Sequence, residues 1–180
     1  MLRVAILTRH DDFHAYVVRQ VLVERGIQCP IILTDSIAWV GGLSWSMSDE
    51  VTSAVVRDAD DQEVTVADLH VIWWRRLTGE PRIPVTLPDG AHDLVVNDCR
   101  AALLGMLMTD FVGTWISHPE ATRTAQNKLL QLKTAQQMGL RIPRTLVSQD
   151  PDRVRRFCKD HVDQVVVKTV SGAQGTPVMA

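Results

Sequence analysis

The chain opens with an unbroken apolar run, Val4-Ala5-Ile6-Leu7, closed by Thr8. A strand with one wet face alternates, whereas a continuous run fits a strand covered on both faces, as in a parallel sheet. Phe13, Val17, Val18, Val21 and Leu22 then recur at helical spacing, Gly26 stands where a helix C-cap is wanted, and residues 30–34 read as a second strand. Strand, helix and strand within about 35 residues form a βαβ unit, whose two strands run parallel.

The pattern changes over residues 37–68. Gly41-Gly42, alternation through Leu43, Trp45 and Met47, and short Val/Thr runs at 51–56 and 64–66 predict hairpin strands. Residues 69–76 predict a strong strand that shares a sheet with Val4 to Leu7. An exposed loop with Pro81, Pro84 and Pro88 comes next, then a long helix from about His92 to Val112, and a short strand at 115–117. Thr124 or Asn127 can cap a helix that carries Lys128 and ends near Met138. Residues 143–148 read as a short strand, and Asp150-Pro151 starts a helix reaching about His161. Residues 164–168 are the last clear strand, and 176–179 can return antiparallel to it. The expected class is α/β: a parallel-sheet domain over residues 1–115, then an incomplete α+β segment over 116–180.

Composition narrows the function classes. Across 180 residues the net charge is -2, which gives no basic footprint for nucleic acid. The window 101–111 is broken by Asp110 and is too short to span a membrane, so neither partner is expected. Cys29, Cys99 and Cys158 are odd in number and far apart, which fits a reducing cytoplasm and neither a metal centre nor a disulfide framework.

The candidate chemistry lies in the last third. Asn127-Lys128-Leu129-Leu130-Gln131-Leu132 opens a helix, and Val165-Val166-Val167-Lys168 follows forty residues after Lys128. Behind it comes a loop with Gly172-Ala173-Gln174-Gly175. Ammonium groups match the dense negative charge of a polyphosphate, and small residues let backbone N–H groups approach it. Taken singly, each lysine reads as a solvated surface residue; order and spacing together point to a phosphate site. Earlier in the chain, Trp73-Trp74-Arg75-Arg76 ends a strand. Its arginines can bind an acidic peptide side chain or phosphate at the sheet's carboxyl edge, or they can stack on the tryptophans and pair with acids. Arg9-His10-Asp11-Asp12 follows the first strand with no glycine-rich fingerprint, and His10 and His14 lack a third metal ligand, so capping or solvated roles are expected.

The stretch from Lys128 through Gly139-Leu140-Arg141-Ile142-Pro143, with Val165–Lys168 and its glycine loop, resembles the entry into the nucleotide fold of ATP-grasp ligases, the ribosomal-protein glutamate ligases among them. Val71-Ile72-Trp73-Trp74-Arg75-Arg76, Gln131-Leu132 and Thr145-Leu146 before Asp150-Pro151 are similar to ATP-grasp peptide maturases of the microviridin type, although Ser117-His118-Pro119 stands where that group has an asparagine before the proline. The resemblance implies a pre-ATP-grasp parallel α/β domain (1–115) and the start of the ATP-grasp domain (116–180). It implies ATP phosphates on Lys128 and Lys168 under the loop of Gly172, Gln174 and Gly175, and a precursor peptide or protein as substrate.

The chemistry implied is transfer of the γ-phosphate of ATP to a carboxylate, followed by attack of an amine or hydroxyl on the acyl phosphate. Mg²⁺ would be held by acidic and amide residues downstream of this chain. Only twelve residues follow Lys168, so the expectation is a truncated ligase, with no catalytic or metal residue of its own and no ligation by the 180 residues alone. The alternatives are a non-catalytic α/β module for homodimerisation or peptide binding, and a response-regulator-like switch, which lacks a phosphoacceptor aspartate ending a third parallel strand.

Overall fold

The computed structural model describes residues 1–38, 42–49, 51–75, 82–83, 87–88, 90–162 and 164–170. Arg76, Gly172, Gln174, Gly175 and the return strand expected at 176–179 lie outside the described residues. The chain forms two compact units, Met1–Pro119 and Glu120–Ala180.

The first unit runs β1 (Val4–Thr8), α1 (Phe13–Glu24), β2 (Ile31–Leu33), β3 (Leu43–Met47), β4 (Thr52–Arg57), β5 (Glu63–Thr65), β6 (Val71–Trp74), α2 (Ala91–Asp110) and β7 (Thr114–Ile116). Strands β2-β1-β6-β7 make one sheet, parallel throughout, and β3-β4-β5 a separate antiparallel one. As the opening run requires, β1 and β6 are direct neighbours, paired from Val4 with Val71 to Leu7 with Trp74.

Side chains alternate across a strand, so β1 feeds two cores. Ala5 and Leu7, with Ile32 and Ile72, pack under Leu103, Met106 and Leu107 of α2 and against Val56 and Val64 of the antiparallel sheet. Ile6 and Ile31 face the other way, onto Ala15, Val18 and Leu22 of α1. Covering both faces is what removes the alternation from β1. Of the apolar positions that recur along α1, Val18 and Leu22 pack toward the sheet, while Phe13, Val17 and Val21 are exposed. Helix α1 carries two apolar rows, and the row that starts with the small Ala15 lets the helix approach the sheet.

Helix α3 (Pro119–Ala125) starts at the last residue of the first unit, and α4 (Lys128–Gln137) and α5 (Pro151–Asp160) follow in the second. Asn127, not Thr124, caps α4: its Oδ1 accepts from the N–H groups of Leu129 at 3.0 Å and Leu130 at 3.2 Å. Gly139, at φ +77°, closes that helix, where a left-handed residue releases the chain. Asp150 caps α5 with Pro151 in its first turn, as its sequence predicts. Residues 143–148 and 164–168 are not strands, which corrects the expectation from the sequence. Among the described residues no neighbouring chain takes up their ladder hydrogen bonds, and Val166 and Val167 stand 81% and 83% exposed. A β-branched run supplies the propensity for a strand but not the partner that makes one.

Candidate functional site

Lys128 is the first residue of α4, and its Nζ lies 3.3 Å from Gln131 Oε1. Its main-chain N–H donates to the carbonyl of Val170 at 3.1 Å. That bond ties the start of α4 to the segment two residues beyond Lys168, so the two lysine-bearing stretches, forty residues apart in sequence, meet. The helix start has no spare backbone donor. Lys128 N–H is on Val170, Leu129 and Leu130 are on the Asn127 side chain, and Gln131 N–H is on the Asn127 carbonyl at 3.0 Å. A phosphate here therefore cannot use the N-terminal N–H groups that usually make a helix start an anion site. It would rest on the ammonium groups, and Lys168, in an exposed segment, is accessible for that.

A second polar centre sits in the first unit. From β1 the chain passes to β2 on one side, while β6 and β7 lie on the other, so the carboxyl ends of β1 and β6 flank the point where strand order reverses. Open parallel sheets bind ligands at that crevice. Asp12 follows β1 and Arg75 follows β6, with the Arg75 N–H continuing the ladder onto Leu7 O at 3.1 Å. Arg75 Nε donates to Asp12 Oδ2 at 2.6 Å and Nη2 to Oδ1 at 3.0 Å, a bidentate pair. Thr8 Oγ1 donates to the same Oδ2 at 2.6 Å, and the guanidinium lies 4.8 Å above the Trp73 ring. The carboxylate is fully buried, while the Arg75 side chain is 21% exposed.

Among the described residues the buried polar side chains are Thr8, Asp12, Thr34 and Asp35, all at the carboxyl ends of β1 and β2. Thr34 Oγ1 donates to Thr8 O at 3.1 Å. Asp35 Oδ2 accepts from the His10 N–H at 3.2 Å and meets His10 Nδ1 at 3.0 Å, while its buried Oδ1 has no hydrogen-bond partner among the described residues. His14 is exposed, 3.8 Å from Asp12 Oδ1. Burial pushes the Cys29 thiol up to about 11 against an opposing effect of Arg19, and burial raises Cys99 as well, so neither is a ready nucleophile. Among the described residues no group of three or more His, Cys, Asp or Glu could hold a metal ion, and no helix is long and apolar enough to cross a membrane.

Of the residues singled out from the sequence, Lys128 is thus placed beside the Lys168 segment, and Arg75 lies at the sheet's carboxyl edge. Arg75 takes up both pairings that its sequence allowed internally, stacking on Trp73 and binding an acid. Asp12 was named from the sequence only within the run after the first strand and was not paired with Arg75. Its signal was its place in the turn between the first strand and the first helix, opposite an arginine directly after a neighbouring strand.

No protein-family model matches the sequence, and no curated protein does. Solved structures do. The chain superposes on the macrocyclase MdnC from Microcystis aeruginosa MRC, bound with precursor peptide MdnA, with a TM-score of 0.76 and 24% identity over 88% of this chain and 50% of that one. A RiPP-associated ATP-grasp ligase of Chryseobacterium gregarium, in complex with ADP and a leader and core peptide, gives 0.75 and 21% over 90% and 49%. The ATP-grasp ligase PsnB, complexed with a variant of its minimal precursor, Mg and ADP, gives 0.60 and 21% over 89% and 52%. The chain has the fold of these ATP-grasp peptide ligases and spans about half of their length.

Proposed function

We propose that this chain contributes ATP-phosphate and peptide contacts to an ATP-dependent ligation of a peptide carboxylate. Residues 1–115 serve as the pre-ATP-grasp domain and 116–180 as the start of the nucleotide-binding domain. The observation that supports this reading is the bond from Lys128 N–H to Val170 O, which brings the two lysine-bearing stretches together. The shared fold with ligases solved on precursor peptides and ADP supports the partner and the nucleotide.

In this reading Lys128 and Lys168 offset charge on the phosphate oxygens, with Gly172, Gln174 and Gly175 closing over them. The γ-phosphate passes to a carboxylate, and an amine or hydroxyl attacks the acyl phosphate, expelling phosphate. Mg²⁺ would be held by acidic and amide residues outside these 180, and no step is assigned to a metal here. The 180 residues cover about half of the solved ligases, and we read them as insufficient for ligation by themselves. The unpaired Cys29, Cys99 and Cys158 suit a reducing cytoplasm. A second reading, a non-catalytic module for homodimerisation or peptide binding, has in its favour the exposed row Phe13, Val17 and Val21 on α1.

Equilibrium titration of ATP against wild type, Lys128→Ala and Lys168→Ala tests the site. Each substitution is expected to weaken binding by roughly 1.5–3 kcal/mol, the worth of a charge-assisted hydrogen bond. Equal affinities across the three would return both lysines to the solvated surface. Peptide-stimulated ADP release by the 180 residues would overturn the claim that they do not ligate alone.

A further inference from the structure

Asp12 occupies the N-cap of α1, where an aspartate ordinarily accepts a hydrogen bond from the helix's own N–H groups, yet its side chain makes no cap bond. The carboxylate is turned instead into the β1–β6 crevice, where Thr8 fixes one oxygen and Arg75 takes both. A residue that only closed the helix would not be used this way. The side-on pairing consumes Arg75 Nε and Nη2, and Trp73 lies beneath the guanidinium plane. Among the described residues Nη1 has no hydrogen-bond partner, and the side chain is partly exposed. The guanidinium is thereby fixed by its buried edge and presents its outer edge at the crevice where a parallel sheet binds its ligand.

We propose that Asp12 is a positioning residue, which aims the outer edge of Arg75 at one carboxylate of an acidic peptide. The inference rests on the reading of Arg75 as a peptide contact. Its two possible consequences have opposite signs. Asp12 carries the same charge as the ligand, so if Arg75 needed no positioning, removing that charge would tighten binding. If Asp12 aims Arg75, the isosteric Asp12→Asn loosens the guanidinium and weakens binding, since a displaced fork loses its bidentate contact.

The experiment measures calorimetric affinity of the 180-residue chain for a short end-blocked peptide containing Glu and Asp, with its Gln/Asn counterpart as control. Wild type should prefer the acidic peptide, and Arg75→Ala should remove the preference. Asp12→Asn should lose about tenfold, while Leu103→Ala, which loosens the core under α2 without touching the crevice, should bind as wild type below its melting temperature. Equal binding by Arg75→Ala, or no preference in wild type, overturns the reading of Arg75 and this proposal with it. Weaker binding by Arg75→Ala with unchanged or tighter binding by Asp12→Asn overturns only the positioning role. Should Asp12→Asn fail to fold, the Arg75 Nε–H resonance of wild type decides. It should stay hydrogen-bonded and unshifted when peptide is added, and a shift to a solvent-exposed position refutes the proposal.

Discussion

Arg75→Met keeps the length of the side chain and its contact with Trp73 but removes the bidentate guanidinium that pairs with the buried Asp12 carboxylate. The carboxylate cannot turn to water, because its side chain is 0% exposed. It loses two charge-assisted bonds, at 2.6 and 3.0 Å, and keeps the Thr8 hydroxyl at 2.6 Å. Opposite charges at about 4 Å in a medium of effective dielectric near 20 attract by about 4 kcal/mol, and removing one partner of a buried pair costs about 3–5 kcal/mol. With Thr8 retained, about 3 kcal/mol is expected. Asp12→Asn differs. Arg75 is 21% exposed and can rotate an N–H edge into water, so about 1–2 kcal/mol is expected. The pair should therefore respond asymmetrically, and the double variant should cost less than the two singles together, by about 2 kcal/mol.

Urea unfolding followed by tryptophan fluorescence reads this directly. All five tryptophans, Trp39, Trp45, Trp73, Trp74 and Trp115, belong to the first unit, so the signal reports that unit and not the second. Equal losses for the two single variants, or strict additivity in the double variant, would refute the account of a buried acid held by a partly solvated base.

Two glycines should respond with opposite signs in the same assay. A Cβ on Gly113 would collide with the His70 carbonyl oxygen and stand 2.6 Å from the Phe111 ring, so Gly113→Ala should cost about 1–3 kcal/mol, whereas Gly105 in α2 has nothing within 4 Å and Gly105→Ala should gain up to about 1 kcal/mol. For Cys29, the fold holds the proton from the ordinary value of 9.0 up to about 11, because burial disfavours the thiolate. The folded state therefore binds more protons than the unfolded chain in that window, and stability present below pH 9 is lost as pH rises toward about 11. Urea midpoints at pH 8 and pH 10.5 should fall further for wild type than for Cys29→Ala, and parallel curves would refute the assignment.

The parts of this fold legible in sequence are those set by burial on a single element. The run at Val4 to Leu7 announces a strand covered on both faces, and Asp150-Pro151 announces a helix start, since both signals are local. What was not legible needed a partner to be known. Residues 164–168 have strand composition without a neighbouring strand, and α1 offers two apolar rows whose choice depends on the sheet beneath. The Asp12–Arg75 pair, 63 residues apart, is hidden for the same reason. The chain goes from β1 to β2 and then through a whole antiparallel sheet before β6 returns to β1's other side, so nothing local says that their carboxyl ends adjoin. Locally, Asp12 is an aspartate before a helix, which is the commonest of capping signals. Its side chain makes no cap bond and instead spends both oxygens across the crevice, so the residue with the most ordinary local explanation is the one whose role is set at long range.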